Sequence, residues 1–154
     1  MIKINVITNN NNWYKRIKNP VNYITIKIDK INKFDKPFLK KNIYCTLLLS
    51  DNKEIKNLNK KFRNKNKSTD VLSFPFQERK ELNDLLKKKK EIYLGDIIIN
   101  LNRIKDKNLK HFKTEFNRLW IHGLVHLFGH DHKKEKDFLK MNQVEKKYLN
   151  IINA

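Results

Sequence analysis

Four of the chain's five histidines fall in one stretch, His122-Gly123-Leu124-Val125-His126-Leu127-Phe128-Gly129-His130-Asp131-His132. On a helix, residues four apart lie one turn above each other, so His122 and His126 offer two imidazoles to one point in space. Gly129 stands where a left-handed turn would end that helix, and such a turn doubles the chain back and carries His132 toward the same point. Three neutral imidazoles with a fourth position left open are the donor set of a catalytic zinc ion. The expectation is one zinc per chain, held by His122, His126 and His132. His130 lies on the turn itself, where it is either solvated or a hydrogen-bond donor to one of the ligands.

Metzincin proteases write their zinc site H-E-x-x-H-x-x-G-x-x-H, and here all three histidines and the glycine fall in that register. The departure is chemical. The second position, the glutamate that serves those enzymes as general base, is Gly123. The chain has the metal holder without the protease base. A metallopeptidase is therefore one reading of the stretch, and Gly123 speaks against it.

The elements that position these residues must come from a chain of 154 residues, enough for one domain over 1–154 with a proper core. Hydrophobic residues at 39% and charged residues at 33% fit a globular protein with a very polar surface. No apolar run approaches the roughly 20 residues needed to span a bilayer, and the N-terminus alternates like a strand rather than like a signal peptide. No membrane association and a cytoplasmic location are expected. Cys45, the only cysteine, sits among apolar neighbours and reads as a small buried residue, so disulfides play no part. A net charge of +19 points to a polyanionic partner such as nucleic acid, although lysine, asparagine and isoleucine all have AT-rich codons and genome drift is an alternative source of part of the excess. Lys87 to Lys90 reads as a solvated loop.

Ile2, Ile4 and Val6 alternate with polar residues as in a strand with one buried face. Asn19-Pro20 is a helix-start signature, with Val21, Ile24, Ile28 and Ile31 at helical spacing, although Ile24, Ile26 and Ile28 also alternate as a strand would. Ile43 to Leu49 reads as a buried strand, and Asp51 with Glu54 opens a helix bearing Ile55, Leu58 and Phe62. A basic segment, residues 60–67, leads into a short strand over 68–76, and Pro75 places that strand at a sheet edge or ends it there. Residues 77–90 read as an exposed polar connection. Ile92 to Ile99 is apolar on both sides and therefore central, with Gly95 marking a bulge or a close backbone approach. Asp96 among isoleucines either bonds a loop or orients a metal ligand, and Asp131 is a second candidate for that orienting role. A short helix is expected over 101–110, and from about Thr114 the histidine-bearing helix, with Phe116, Leu119, Trp120, Gly123, Leu124 and Leu127 on its core face and the histidines on a neighbouring flank. Phe138, Met141, Val144, Tyr148 and Ile152 make a final packing stripe.

Four segments in this order, Leu58-Asn59-Lys60-Lys61-Phe62-Arg63, Thr69-Asp70-Val71-Leu72-Ser73-Phe74-Pro75-Phe76, Leu94-Gly95-Asp96-Ile97 and the histidine stretch, make the chain similar to the YbeY family of bacterial endoribonucleases. The family commonly has tyrosine where this chain has His130. The resemblance implies an α+β fold, a small mixed sheet packed by helices with the metal-bearing helix facing a cleft. It implies zinc on the three histidines, cleavage of single-stranded RNA, and a part in 16S rRNA 3′-end maturation and ribosome quality control, with ribosomal or small-subunit proteins as partners. Arg63 matches the arginine that the family places in its substrate cleft, and Lys65 and Lys67 beside it are candidate substrate-binding cations. The chemistry agrees in outline, because zinc polarises a phosphoryl oxygen and a guanidinium binds phosphate bidentately. A third reading is a non-catalytic RNA-binding assembly factor with a structural zinc, which requires a fourth protein ligand.

Overall fold

The computed structural model describes residues 1–36, 40–105 and 108–154. The alternating N-terminal run forms strand β1 (Ile2–Thr8), with Ile2 buried and the polar residues outward. Asn19 caps helix α1 (Pro20–Phe34) by accepting the Asn22 N–H at 2.9 Å, and Pro20 takes the first helical position. Ile24, Ile28 and Ile31 are buried while Ile26 is 52% exposed, which decides the helix over the alternating strand. Val21 is exposed and does not join that stripe. Strand β2 (Asn42–Ser50) follows, and Asp51 caps helix α2 (Asn52–Arg63) through the Glu54 N–H at 3.0 Å.

Strand β3 (Val71–Pro75) leads to helix α3 (Arg79–Lys88) and strand β4 (Glu91–Asn100). Helix α3 corrects the expectation of a polar connection over 77–90. Leu82 is buried, and Leu85 and Leu86 are half-buried at i+3 and i+4, so a narrow apolar stripe holds a helix whose other faces are charged. Helix α4 (Leu109–Leu127) begins earlier than Thr114, because Asn108 caps it on the His111 N–H at 2.9 Å. Of the short helix expected over 101–110, the structure shows a 3-10 turn at Leu101–Arg103; residues 106–107 lie outside the described residues. Helix α5 (Glu135–Asn153) buries Met141, Tyr148 and Ile152, whereas Phe138 is exposed and falls off the stripe.

The sheet runs in the order β1-β2-β4-β3, with β1, β2 and β4 parallel and β3 antiparallel at the edge. It is a small mixed sheet in an α+β fold, as the family resemblance implies. Tyr44 pairs with Tyr93 and Thr46 with Asp96, so Leu94 and Gly95 together oppose Cys45. This is the bulge that Gly95 marks. Gly95 has φ +134°, and a Cβ there would collide with the Phe74 carbonyl oxygen.

The main core lies between one sheet face and α1, α3, α4 and α5, and it includes Trp13, Phe112, Phe116 and Trp120. On the opposite face α2 covers a smaller cluster, Ile55 on Leu72 and Ile98. Cys45 is buried in the main core. No helix among the described residues is long and apolar enough to cross a membrane.

Candidate metal centre

Close packing of α4 on the sheet sets the site. A Cβ at Gly123 would stand 2.6 Å from Ile97 Cγ2, so position 123 faces the sheet and has no room for a side chain. The flanking positions look away from that contact, leaving His122 and His126 half-buried. Helix α4 ends as its glycine indicates. Gly129 has φ +91°, its N–H meets the His126 carbonyl at 2.9 Å, and the His130 N–H meets the Val125 carbonyl at 3.3 Å, which is the Schellman pattern. The reversed chain brings the exposed His132 back. Ring centroids lie 4.7 Å apart for His122 and His126, 5.1 Å for His126 and His132, and 6.0 Å for His122 and His132. One nitrogen from each ring lies within 4.8 Å of the others.

The outward nitrogens of the two helical histidines are held. His122 Nδ1 meets Glu145 Oε1 at 2.5 Å, and His126 Nδ1 meets the His130 carbonyl at 2.9 Å. A carbonyl oxygen only accepts, so His126 carries its ring proton on Nδ1 and its Nε2 is left as a lone-pair donor; the Glu145 carboxylate places His122 in the same tautomer. Burial, followed by the neighbouring His122, lowers the pKa of His126 and favours the neutral form that a metal ion requires. Among the described residues no fourth histidine, cysteine or carboxylate joins the cluster. Three imidazoles, two of them with their outward nitrogens held, fit zinc, and three protein donors are the number that a catalytic rather than a structural zinc takes.

Glu145 was not found from the sequence. The stripe on α5 reads there as packing only, and the available signal was a carboxylate one residue beyond Val144 on a face turned toward α4. The His130 ring stands outside the cluster, and that residue contributes its backbone carbonyl. Asp131 accepts the His132 N–H at 2.7 Å and so shapes the loop rather than bonding a ligand ring. Asp96 does not join the site. Ile97 faces Gly123, and by strand alternation Asp96 points to the opposite sheet face, where its carboxylate accepts the Tyr93 hydroxyl at 2.5 Å.

Arg63, the last residue of α2, reaches the free edge of β3. Its Nη2 donates to the Ser73 carbonyl at 2.6 Å, and its guanidinium lies 5.2 Å from the Phe74 ring centre. Ser73 Oγ in turn donates to the Gly123 carbonyl at 3.0 Å, which ties this edge to the histidine-bearing helix beside His122. Lys65 and Lys67 are exposed on the following loop, where buried Asn59 donates to the Lys67 carbonyl at 2.9 Å. Arg118, one turn before His122 on α4, bonds Glu115 at 2.5 Å and stands 3.9 Å from Asp70; it is a further cation on the histidine flank that the sequence reading did not single out.

A family model described as Endoribonuclease YbeY matches residues 5–153. Among curated relatives, a protein named Endoribonuclease YbeY from Pelagibacter ubique is 45% identical over 148 residues, covering 94% of this chain and 92% of its own. Another of that name from Fusobacterium nucleatum is 33% identical, covering 83% of this chain and 78% of its own. A solution structure of a Thermotoga maritima protein is similar in fold, with a TM-score of 0.56 at 25% identity, over 99% of this chain and 89% of that one.

Proposed function

The chain belongs to the endoribonuclease YbeY family, and on that premise we propose that it is a zinc-dependent endoribonuclease acting on single-stranded RNA, with residues 1–154 as one catalytic domain. The observation that carries this is the set of three imidazoles with one nitrogen each within 4.8 Å, two of them held through Nδ1 by Glu145 and the His130 carbonyl. A zinc ion on His122, His126 and His132, one per chain, would supply Lewis-acid polarisation of a phosphoryl oxygen and of water. Every other contribution comes from the protein. Glu145 and the His130 carbonyl keep two ligand rings oriented, and Asp131 fixes the backbone of His132. Arg63, steadied against Phe74, presents a planar fork that binds a phosphate and takes up charge developing on it. Lys65 and Lys67 add attraction for the strand on either side, as part of the net charge of +19.

The peptidase reading loses support for a physical reason. Position 123, where a metallopeptidase carries its general base, is pressed against Ile97 and cannot hold one. The structural-zinc reading lacks its fourth ligand among the described residues. We further propose a cytoplasmic place in 16S rRNA 3′-end maturation and ribosome quality control, with the ribosome or small-subunit proteins as partners; the relatives' activity and the basic charge support it. Incubating zinc-loaded protein with labelled single-stranded RNA and, separately, with casein tests the reaction class. RNA should be cut and casein left whole. Cleavage of casein alone would overturn the proposal.

A further inference from the structure

Among the described residues, the sheet face turned away from α4 is covered by α2 over one end only, through Ile55 and Leu58 on the Leu72 and Ile98 side. The remainder is paved with aromatic rings. Register sets Lys3 beside Tyr44 and Tyr44 beside Tyr93 on three neighbouring strands, and Phe76 meets Tyr93 edge-on at 6.0 Å. At the β3 edge Phe62 meets Phe74 at 5.7 Å. Phe76 is 72% exposed, Phe62 60% and Tyr93 38%, so these rings offer faces to whatever lies on the sheet. The Tyr93 hydroxyl is anchored by Thr46 at 2.7 Å and Asp96 at 2.5 Å, which holds its ring in one orientation.

Scattered exposed apolar residues are ordinary, and an apolar protein surface is the competing occupant. Two features favour a nucleic acid strand. Apart from Ile7 at the β1 edge, the exposed apolar groups are flat rings, with polar Thr46 and Asp96 between them, and they form no continuous aliphatic patch. Cations stand at the ring positions as well, Lys61 at 5.3 Å from the Phe62 ring, Arg63 at 5.2 Å from Phe74 and Lys3 at 5.9 Å from Tyr44. A single strand alternates π faces with phosphates, and rings interleaved with cations match it on both counts. Asp96 repels phosphate from the middle of the row and so directs the backbone toward these outer cations.

We propose that this half-open sheet face is a binding platform for single-stranded RNA, with unpaired bases stacking on Phe62, Phe76 and Tyr93 and phosphates meeting Lys61 and Arg63. It leads round the free edge of β3, where Arg63 links through Ser73 to the helix of the histidines. The proposal rests on the RNA reading of the metal centre and extends it to a second surface. Duplex RNA keeps its bases stacked on each other and gains nothing from the rings.

The test is an anisotropy titration of the intact protein with a short unstructured phosphorothioate RNA, checked on a gel to stay whole, at two salt concentrations and beside a duplex of the same length. Phe76→Leu and Phe62→Leu keep the apolar bulk and remove the π face at exposed positions. Each should weaken single-strand binding roughly tenfold, leave the salt slope unchanged and leave duplex binding alone. Lys61→Ala should instead lower the salt slope by about one phosphate contact. Wild-type affinity in both leucine variants overturns the platform, including when a protein partner occupies the face. The two readings fail separately. Loss of single-strand affinity in a protein that cuts no RNA supports the platform and refutes the catalytic proposal, while RNA cleavage with unchanged binding in the leucine variants does the reverse.

Discussion

Among the described residues Glu145 is the one side chain that bonds a ligand ring through its outward nitrogen, and Glu145→Ala removes it. Its Oε1 lies 2.5 Å from His122 Nδ1, and the two side chains are 20% and 26% exposed. In the metal-free protein this is a half-shielded pair, and losing it should cost no more than about 1 kcal/mol of stability. Metal affinity should suffer more. Without the carboxylate the imidazole can adopt either tautomer and rotate, and loss of such a partner typically weakens a site about 10–100-fold, which is roughly 1.4–2.7 kcal/mol. Glu145→Gln keeps an acceptor oxygen and loses the charge, so its affinity should fall between wild type and Glu145→Ala. The assay is a competitive zinc titration against a chromogenic chelator, run beside urea denaturation of the metal-free proteins. Zinc affinity equal to wild type in Glu145→Ala would refute the role given to this residue; a stability loss matching the affinity loss would show it to be packing alone.

The other predictions concern the elements around the site. Arg63→Ala should bind RNA with a modest loss, because many cations share the attraction, yet cut it about 10²–10³-fold more slowly in single-turnover assays, and Arg63→Lys should rescue only in part. A wild-type cleavage rate at saturation would reduce Arg63 to one phosphate contact among many. Gly123→Ala sets about 1–3 kcal/mol of overpacking against Ile97 against about 1 kcal/mol of helix propensity, so denaturation should show no gain; a full stabilisation would contradict the close contact of α4 with β4. Burial, and then Asp96, push the Cys45 thiol up to about 12. The unfolded chain releases that proton first, at about 8.5, so this group makes stability fall as pH rises from there toward about 12, and Cys45→Ala should lose stability less steeply over that window in urea titrations.

The histidine cluster was legible because its information is local. His122 and His126 share a helix turn, and Gly129 reverses the chain within the same stretch, so spacing alone brings His132 back. Glu145 was hidden because it meets His122 across the packing of two helices, and a sequence does not state which carboxylate on α5 faces α4. Asp96 misled for a related reason: an acid among isoleucines looks buried, yet the bulge at Leu94 and Gly95 turns it and Tyr93 to the same open face. Helix α3 was obscured by charge, since Leu82, Leu85 and Leu86 supply a three-residue stripe among lysines and acids. The strands and α1 were readable from period and caps, and burial of Ile24 and Ile28 with exposure of Ile26 resolved the one segment where both periods fitted.

RNA cleavage is proposed to depend on an ion held by His122, His126 and His132. Zinc content and single-turnover cleavage of labelled single-stranded RNA, measured on the same preparations of wild type, His126→Ala and His130→Ala, test it most directly. Wild type and His130→Ala should carry one zinc per chain and cut RNA, and His126→Ala should lose both together. Full zinc occupancy in His126→Ala, or undiminished cleavage by a His126→Ala protein free of metal, would remove the three histidines as the site of the catalytic ion.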